Sequence, residues 1–374
     1  MNVLAIDTEN TTSNKGNPFD TTNRSVCYSY CLNGEHSAAC QTTESSLRQL
    51  QELIDDADLL VLFNAKYDLH WFNKLGVKTE HKPIWCCQLA EFVIERQSLK
   101  YPSLEGCAIK YGLGNKIDVI KTEYWDKGIN TDEIPWEILE KYAVQDAILT
   151  YKLYEVQRPQ LTGNTYKLFR LQCADLRILE GMEREGLVYD PDICEQEAQR
   201  IESAIQELQQ NLESIYPDVP INFGSPIQLS AFLFGGTIEV KSKVHDGFYK
   251  TGAKAGQPKY RNVVTEHQLP KMYDPIGKPL KTGAYSTSED TLRKLKGNKR
   301  VVNWLLELSK LDKLLGTYYR GYPKLNSEMH WPMGKLHGQF NQVVAATGRL
   351  SSTRPNLQNI AGDVQKIFVS RFND

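Results

Sequence analysis

Residues 3–8 (VLAIDT) alternate between β-prone apolar positions and small or polar ones, which predicts a strand. A second β-prone run spans 24–32, and a third spans 35–40. Between them stands Asn33-Gly34. That pair predicts a hairpin, because both central residues of a type I′ turn need positive φ. Leu47, Leu50 and Ile54 recur at helical spacing, so a helix is expected over about 44–56. Leu59 to Phe63 is the longest plain apolar run and reads as a buried strand. A helix is expected from Ala65 to Gly76. Another should run from Trp136 to about Tyr154, with Leu139, Ala143, Ala147, Tyr151 and Tyr154 on one side. Three antiparallel strands, a helix and a further strand predict an α/β sheet flanked by helices.

Beyond residue 157 the pattern changes. The stretch RPQLTGN at 158–164 supplies Pro and Gly and reads as a link between domains. Leu168, Leu171, Ile178, Leu179 and Met182 predict a helix buried on that face and stopped at Gly186. Ile201, Ile205, Leu208, Leu212 and Ile215 form a near-heptad stripe, and Leu305, Leu308, Leu311, Leu315 and Tyr318 form another. The two are expected to pack antiparallel. Ser286 followed by Glu289 predicts a capping box opening a further helix, and a last strand is expected over 365–371. This half is mainly helical.

Composition narrows the class. With 374 residues, 41 % apolar and 24 % charged, the chain is globular and long enough for two or three domains. No apolar run approaches the ~18 residues of a membrane span, and the start lacks a signal-peptide pattern. Eight cysteines without zinc-site spacing are expected to be reduced thiols of a cytoplasmic protein. The net charge of −2 hides an asymmetry, since residues 1–160 hold 16 Lys+Arg against 23 Asp+Glu. An acidic front half and a basic back half suit a metal site joined to a polyanion-binding surface.

The acids of the front half carry the candidate chemistry. Asp7 and Glu9 are two apart on a strand and share a face. Asn64 and Asp68 bracket the start of a helix, and Tyr142 and Asp146 share a helix face. Acids beside buried elements need partners or metals. The segments LAIDTEN, FNAKYD and YAVQD resemble the three exonuclease motifs of the DEDD superfamily, in its tyrosine-bearing subgroup found in family A DNA polymerases. The resemblance implies an RNase H-like α/β domain with 3′→5′ exonuclease activity. It assigns two divalent ions, Mg²⁺ or Mn²⁺, to Asp7, Glu9, Asp68 and Asp146, and the attacking water to Tyr142. Hard carboxylate oxygens suit those ions, and two ions can stabilise both the attacking and the leaving oxygen. The family's apolar wedge after the first motif is missing from NTTSNKG.

The back half adds a second resemblance. LEGMEREGLVYD, SPIQLSAFLFG, GAYSTSEDTL, LSKLDKLLGTY and above all QVVAATGRLSSTRPNLQNI (342–360) resemble the polymerase domain of the same family. This implies a mainly α thumb followed by part of a palm. The domains expected are an exonuclease over 1–160, a thumb over 161–335 and the start of a palm over 336–374. By the same resemblance DNA contacts fall to Asn64, Lys313, Arg349, Asn356, Gln358 and Asn359. The guanidinium of Arg349 would read the minor groove at the primer end. The palm's catalytic aspartates would lie beyond Asp374, so no polymerisation is expected from this chain alone. A second chain could supply them. With the first motif at residue 7 there is no room for a 5′ nuclease, and the layout resembles compact phage polymerases. Residues 241–281, with nine Lys+Arg against three acids, look like an insertion that meets DNA or a processivity protein. Two other readings stand beside this one: a stand-alone exonuclease on DNA or RNA, and a non-catalytic DNA-binding clamp.

Overall fold

The computed structural model of the chain describes residues 1–114, 119–252 and 254–370. Its first strand, β1 (Val3–Asn10), pairs antiparallel with β2 (Ser25–Leu32), which pairs antiparallel with β3 (His36–Gln41). Asn33 and Gly34 both take positive φ, as the turn between β2 and β3 requires. Helix α1 (Glu44–Asp56) is opened by a capping box between Thr43 and Ser46 and buries Leu50 and Ile54. Then β4 (Leu59–Leu62) returns parallel to β1. It is followed by α2 (Ala65–Lys74) and by β5 (Ile84–Cys86), which lies parallel to β4. The sheet order is β3-β2-β1-β4-β5, a mixed sheet with β1 in the middle.

Helices α3 (Cys87–Ile94), α4 (Leu104–Tyr111), α5 (Val119–Glu123) and α6 (Trp136–Gln157) follow. The long α6 lies across β1, β2 and β3. After a 3₁₀ turn, Arg158–Gln160, and two further residues α7 (Gly163–Glu185) begins, and β6 (Leu187–Val188) closes this stretch. The face of α7 differs from the one expected. Leu168, Leu171, Ile178 and Met182 are exposed, while Phe169, Cys173, Leu176, Glu180 and Glu183 join Leu179 inside. The helix spends its buried side on polar partners as well as apolar ones, which an apolar stripe cannot reveal.

Packing divides the chain into two compact units, Met1–Pro191 with Tyr322–Asp374, and Asp192–Gly321. These cuts differ from motif boundaries at 160 and 335, because α7 packs on α2 and α3 and stays with the sheet. The second unit holds α8 (Pro191–Glu213), α9 (Pro226–Phe234), a ribbon of β7 (Gly236–Phe248) and β8 (Pro258–Leu269), α10 (Glu289–Lys294) and α11 (Lys299–Leu314). Arg320 is ion-paired to Glu195 and Glu202 of α8. This sets the turn that follows α11 beside the first half of α8. The cap of α10 is Ser288, not Ser286, whose hydroxyl instead accepts from the Ser288 amide at 3.4 Å.

The chain then returns to the first unit as α12 (Gly321–Glu328), β9 (Lys335–Leu336), β10 (Gln339–Asn341) and β11 (Ser351–Thr353). The strand expected over 365–371 is instead a 3₁₀ helix, Gly362–Ile367, followed by a single bridge from Phe368 to Tyr189; residue 371 lies outside the described residues. All eight cysteines are free, and seven are buried. Among the described residues, no helix is long and apolar enough to cross a membrane.

Candidate active site

Strand β1 delivers Asp7 and Glu9 to one face, since side chains two apart point the same way. Helix α6, lying across that strand, delivers Tyr142 and Asp146 one turn apart. Carboxylate oxygens of Asp7, Glu9 and Asp146 all lie within 4.8 Å of one another. Glu9 and Asp146 are buried and Asp7 is half-buried. Three hard, anionic donors at this spacing fit a divalent cation and would otherwise repel. The repulsion already shows on Tyr142. Burial pushes its hydroxyl well up, and the charges of Glu9, Asp146 and Asp7 push it further.

The fourth expected acid is not in the same group of oxygens. Asp68 lies in the first turn of α2, almost wholly buried, and accepts a 2.8 Å hydrogen bond from the Thr8 hydroxyl. Thr8 lies between the two β1 acids and, by strand alternation, points away from them. Burial raises the Asp68 pKa well above the usual carboxylate range, and the charge of Asp7 raises it further. A second cation beside Asp7 would relieve that cost.

The groove over the three acids has a volume of about 330 Å³ and is walled by Tyr67, Trp125, Lys15 and Thr12. These residues were not visible as site residues in the sequence. Tyr67 sits inside the FNAKYD motif beside Asp68, but Trp125 lies well before the YAVQD motif with no motif of its own. Trp125 stands edge-on to Tyr142, ring centroids 5.8 Å apart. In place of an apolar wedge, the loop after β1 presents an exposed lysine. Asn14, Lys15 and Gly16 all adopt positive φ. Asp20, fully buried, fixes this loop by accepting from Ser13, Asn14 and Thr22. Burial alone would raise its pKa, but those hydrogen bonds outweigh it and hold the carboxyl well below the usual range. From α2, the Lys74 ammonium donates to the carbonyls of Pro18, Asp20 and Asn23.

Gly16 is the hinge of that loop. A Cβ there would lie 2.5 Å from the Tyr67 hydroxyl, on a backbone at φ +67°. Gly16→Ala is therefore expected to cost about 1–2 kcal/mol from the backbone alone and to displace Tyr67. Thermal unfolding should show a lowered midpoint while the far-ultraviolet circular dichroism spectrum stays unchanged.

Two family profiles match the chain: that of a 3′-5′ exonuclease over residues 1–162 and that of DNA polymerase family A over residues 259–371. Over these two stretches the chain is similar to DNA polymerase family A. It carries that family's 3′-5′ exonuclease domain, a mixed sheet with flanking helices of RNase H-like type, followed by part of a polymerase domain. It is 28 % identical over 322 residues to DNA polymerase I of Treponema pallidum (strain Nichols), covering 85 % of this chain and 28 % of that protein. It is 29 % identical over 275 residues to DNA polymerase I of Bacillus subtilis (strain 168), covering 73 % and 26 %. The thermostable DNA polymerase I of Thermus aquaticus is 47 % identical over 85 residues, 23 % of this chain and 10 % of that protein. The chain thus spans little more than a quarter of the length of the first two. A solved structure, the POL domain of Pol1 from M. smegmatis in complex with DNA primer-template and dNTP, shares the fold. Its TM-score is 0.70 at 19 % identity, over 98 % of this chain and 55 % of that one.

The family A motif at 342–360 spans the loop between β10 and β11 and the turn after β11. Arg349 is exposed in that loop. Asn356 caps the 3₁₀ turn Leu357–Asn359, where it accepts from the Gln358 amide at 3.0 Å, and Asn356, Gln358 and Asn359 are all exposed. Lys313 is exposed on α11 in the other unit. Asn64 is the residue before α2, with no side-chain cap bond. It lines a 190 Å³ cavity with Lys66, Phe19, Tyr101 and residues 339–343, rather than the groove over the acids.

Proposed function

We propose that this chain removes nucleotides from 3′ ends of DNA by two-metal hydrolysis, as the proofreading exonuclease and DNA-holding part of a replicative family A polymerase. The observation that carries the reading is the 4.8 Å grouping of Asp7, Glu9 and Asp146 from two separate elements. These three acids would hold Mg²⁺ or Mn²⁺, and Asp68, whose pKa responds to Asp7, would complete the set. Such ions, when bound, acidify an attacking water and offset charge on the leaving oxygen. The Tyr142 hydroxyl, hydrogen-bonded to Asp146, orients that water. Tyr67 and Trp125 wall the terminal base, and Lys15 faces its phosphate.

In this reading residues 1–160 form the nuclease, 161–335 the thumb and 336–374 the start of the palm. Arg349, Asn356, Gln358, Asn359 and Lys313 meet a primer–template duplex, and Asn64 meets the single strand. The eight free thiols support a reducing, cytoplasmic setting. The test uses a 3′-labelled single-stranded deoxyoligonucleotide. With Mg²⁺ we expect mononucleotide release, with EDTA none, and with Mg²⁺ or Mn²⁺ restored, recovery. No release with either ion would defeat the reading, and RNA digested in preference to DNA would favour a stand-alone nuclease.

A further inference from the structure

The β7–β8 ribbon leaves the body of its unit after only a few residues. Ile238 and Leu269 are buried at its base, 1 % and 3 % exposed, and residues 241–250 are all exposed. An isolated two-stranded ribbon buries too little to be kept for stability alone. From Val240 to Phe248 it extends about 27 Å at ~3.4 Å per residue. Its register pairs Lys241 with Val264, Lys243 with Asn262 and His245 with Tyr260. Alternation puts these pairs on one face, while Val240, Val244 and Val263 take the other.

Charge and aromatics are concentrated on this arm. Residues 241–261 hold six Lys+Arg and one acid, Asp246. Lys259 and Arg261 approach that acid at 3.7 and 3.9 Å. Lys241, Lys243, Lys250 and Lys254 make no ion pair among the described residues, so their charge is available. At the far end Phe248, Tyr249 and Tyr260 are 58, 37 and 55 % exposed, with His245 edge-on to Phe248 and Tyr260. Between residues 241 and 261 the arm holds the single acid Asp246, the paired Glu239 and Glu266 lying at its base, and a basic arm of this length is complementary to duplex DNA, which carries one negative charge per about 1.7 Å of axis. A two-stranded ribbon is also narrow enough for the ~12 Å major groove.

We propose that the β7–β8 ribbon is a DNA-binding arm whose lysine face follows the phosphate backbone of a duplex, without reading sequence. The proposal does not rest on the nuclease reading, and it is tested in EDTA, where hydrolysis is absent. Equilibrium binding of a fluorescent duplex is measured against salt for the wild type and for Lys241→Ala/Lys243→Ala/Lys250→Ala/Lys254→Ala. The quadruple variant should bind about tenfold or more weakly near 100 mM salt. Its log K–log[salt] slope should flatten by about 3 to 4, at ~0.9 per lost phosphate contact. A second variant replaces residues 241–264 with Asn-Gly, joining the cross-strand pair Val240 and Thr265 by a two-residue turn. It should show the same loss with an intact circular dichroism spectrum. Affinity and slope unchanged in both variants would overturn the proposal and leave the arm to a protein partner. A loss confined to single-stranded DNA would overturn it as well.

Discussion

Asp146→Ala is expected to lower the rate of 3′-terminal hydrolysis by about 10³-fold or more. Two-metal sites contribute several kcal/mol of transition-state stabilisation, and each ~1.4 kcal/mol is tenfold in rate. Asp146 is the one acid of the 4.8 Å group that comes from α6, so removing it opens the group on that side. The same variant should not be destabilised without metal. Taking one carboxylate from three that repel one another relieves strain, and alanine suits a helix interior. Thermal unfolding in EDTA should therefore give a midpoint at or above that of the wild type. Added Mg²⁺ should raise the wild-type midpoint more than the variant's, because only a competent site couples ion binding to folding. Hydrolysis as fast as the wild type would remove Asp146 from the site. A rate loss accompanied by a falling midpoint in EDTA would mean that the residue acts through the fold.

The parts of this site that were legible in the sequence are those set by local rules. Asn33-Gly34 fixed the β2–β3 register, and the spacing of Leu50 and Ile54 gave α1 its bounds. The i, i+2 and i, i+4 relations of Asp7 with Glu9 and of Tyr142 with Asp146 follow from strand and helix geometry alone. What brings the two pairs together is long-range packing of α6 on β1, and only the motif resemblance anticipated it. Strand β5 was missed because three residues show no periodicity. The β7–β8 ribbon was read as a basic insertion, although I-E-V-K-S-K-V alternates as a strand should. Lysines on both strands masked that signal, since an arm exposed on both faces has little apolar contrast to detect. The face of α7 went the other way. Its glutamates lie inside because α2 supplies Lys66 and His70 opposite them, and no pattern within α7 contains that information.

Glu183→Ala should then be strongly destabilising, at about 3–5 kcal/mol, the cost of leaving buried charges without their partner. Glu183 is 3 % exposed. Its Oε1 accepts from the Lys66 ammonium at 2.6 Å and from the Phe340 amide at 2.6 Å, and its Oε2 meets His70 Nε2 at 2.8 Å. Lys66 also donates to the Phe340 carbonyl. One carboxylate thus ties the helix that carries Asp68 to α7 and to β10, the strand that leads into the family A motif. Burial would raise its pKa, but the His70 hydrogen bond and the Lys66 charge outweigh it and hold the carboxyl below its ordinary 4.5. A lowered folded-state pKa means stabilisation that is present above the unfolded value and lost as pH falls through the folded one. Glu183→Gln keeps the shape and one acceptor, so its loss should be smaller than that of alanine near neutral pH. The gap between wild type and Glu183→Gln should close on acidification below about 4.5. Hydrogen exchange of the α2 and α7 amides reads this unit separately from the other. A cost under about 1 kcal/mol for Glu183→Ala, as a surface pair would give, would show that α2, α7 and β10 are held together by their apolar contacts instead.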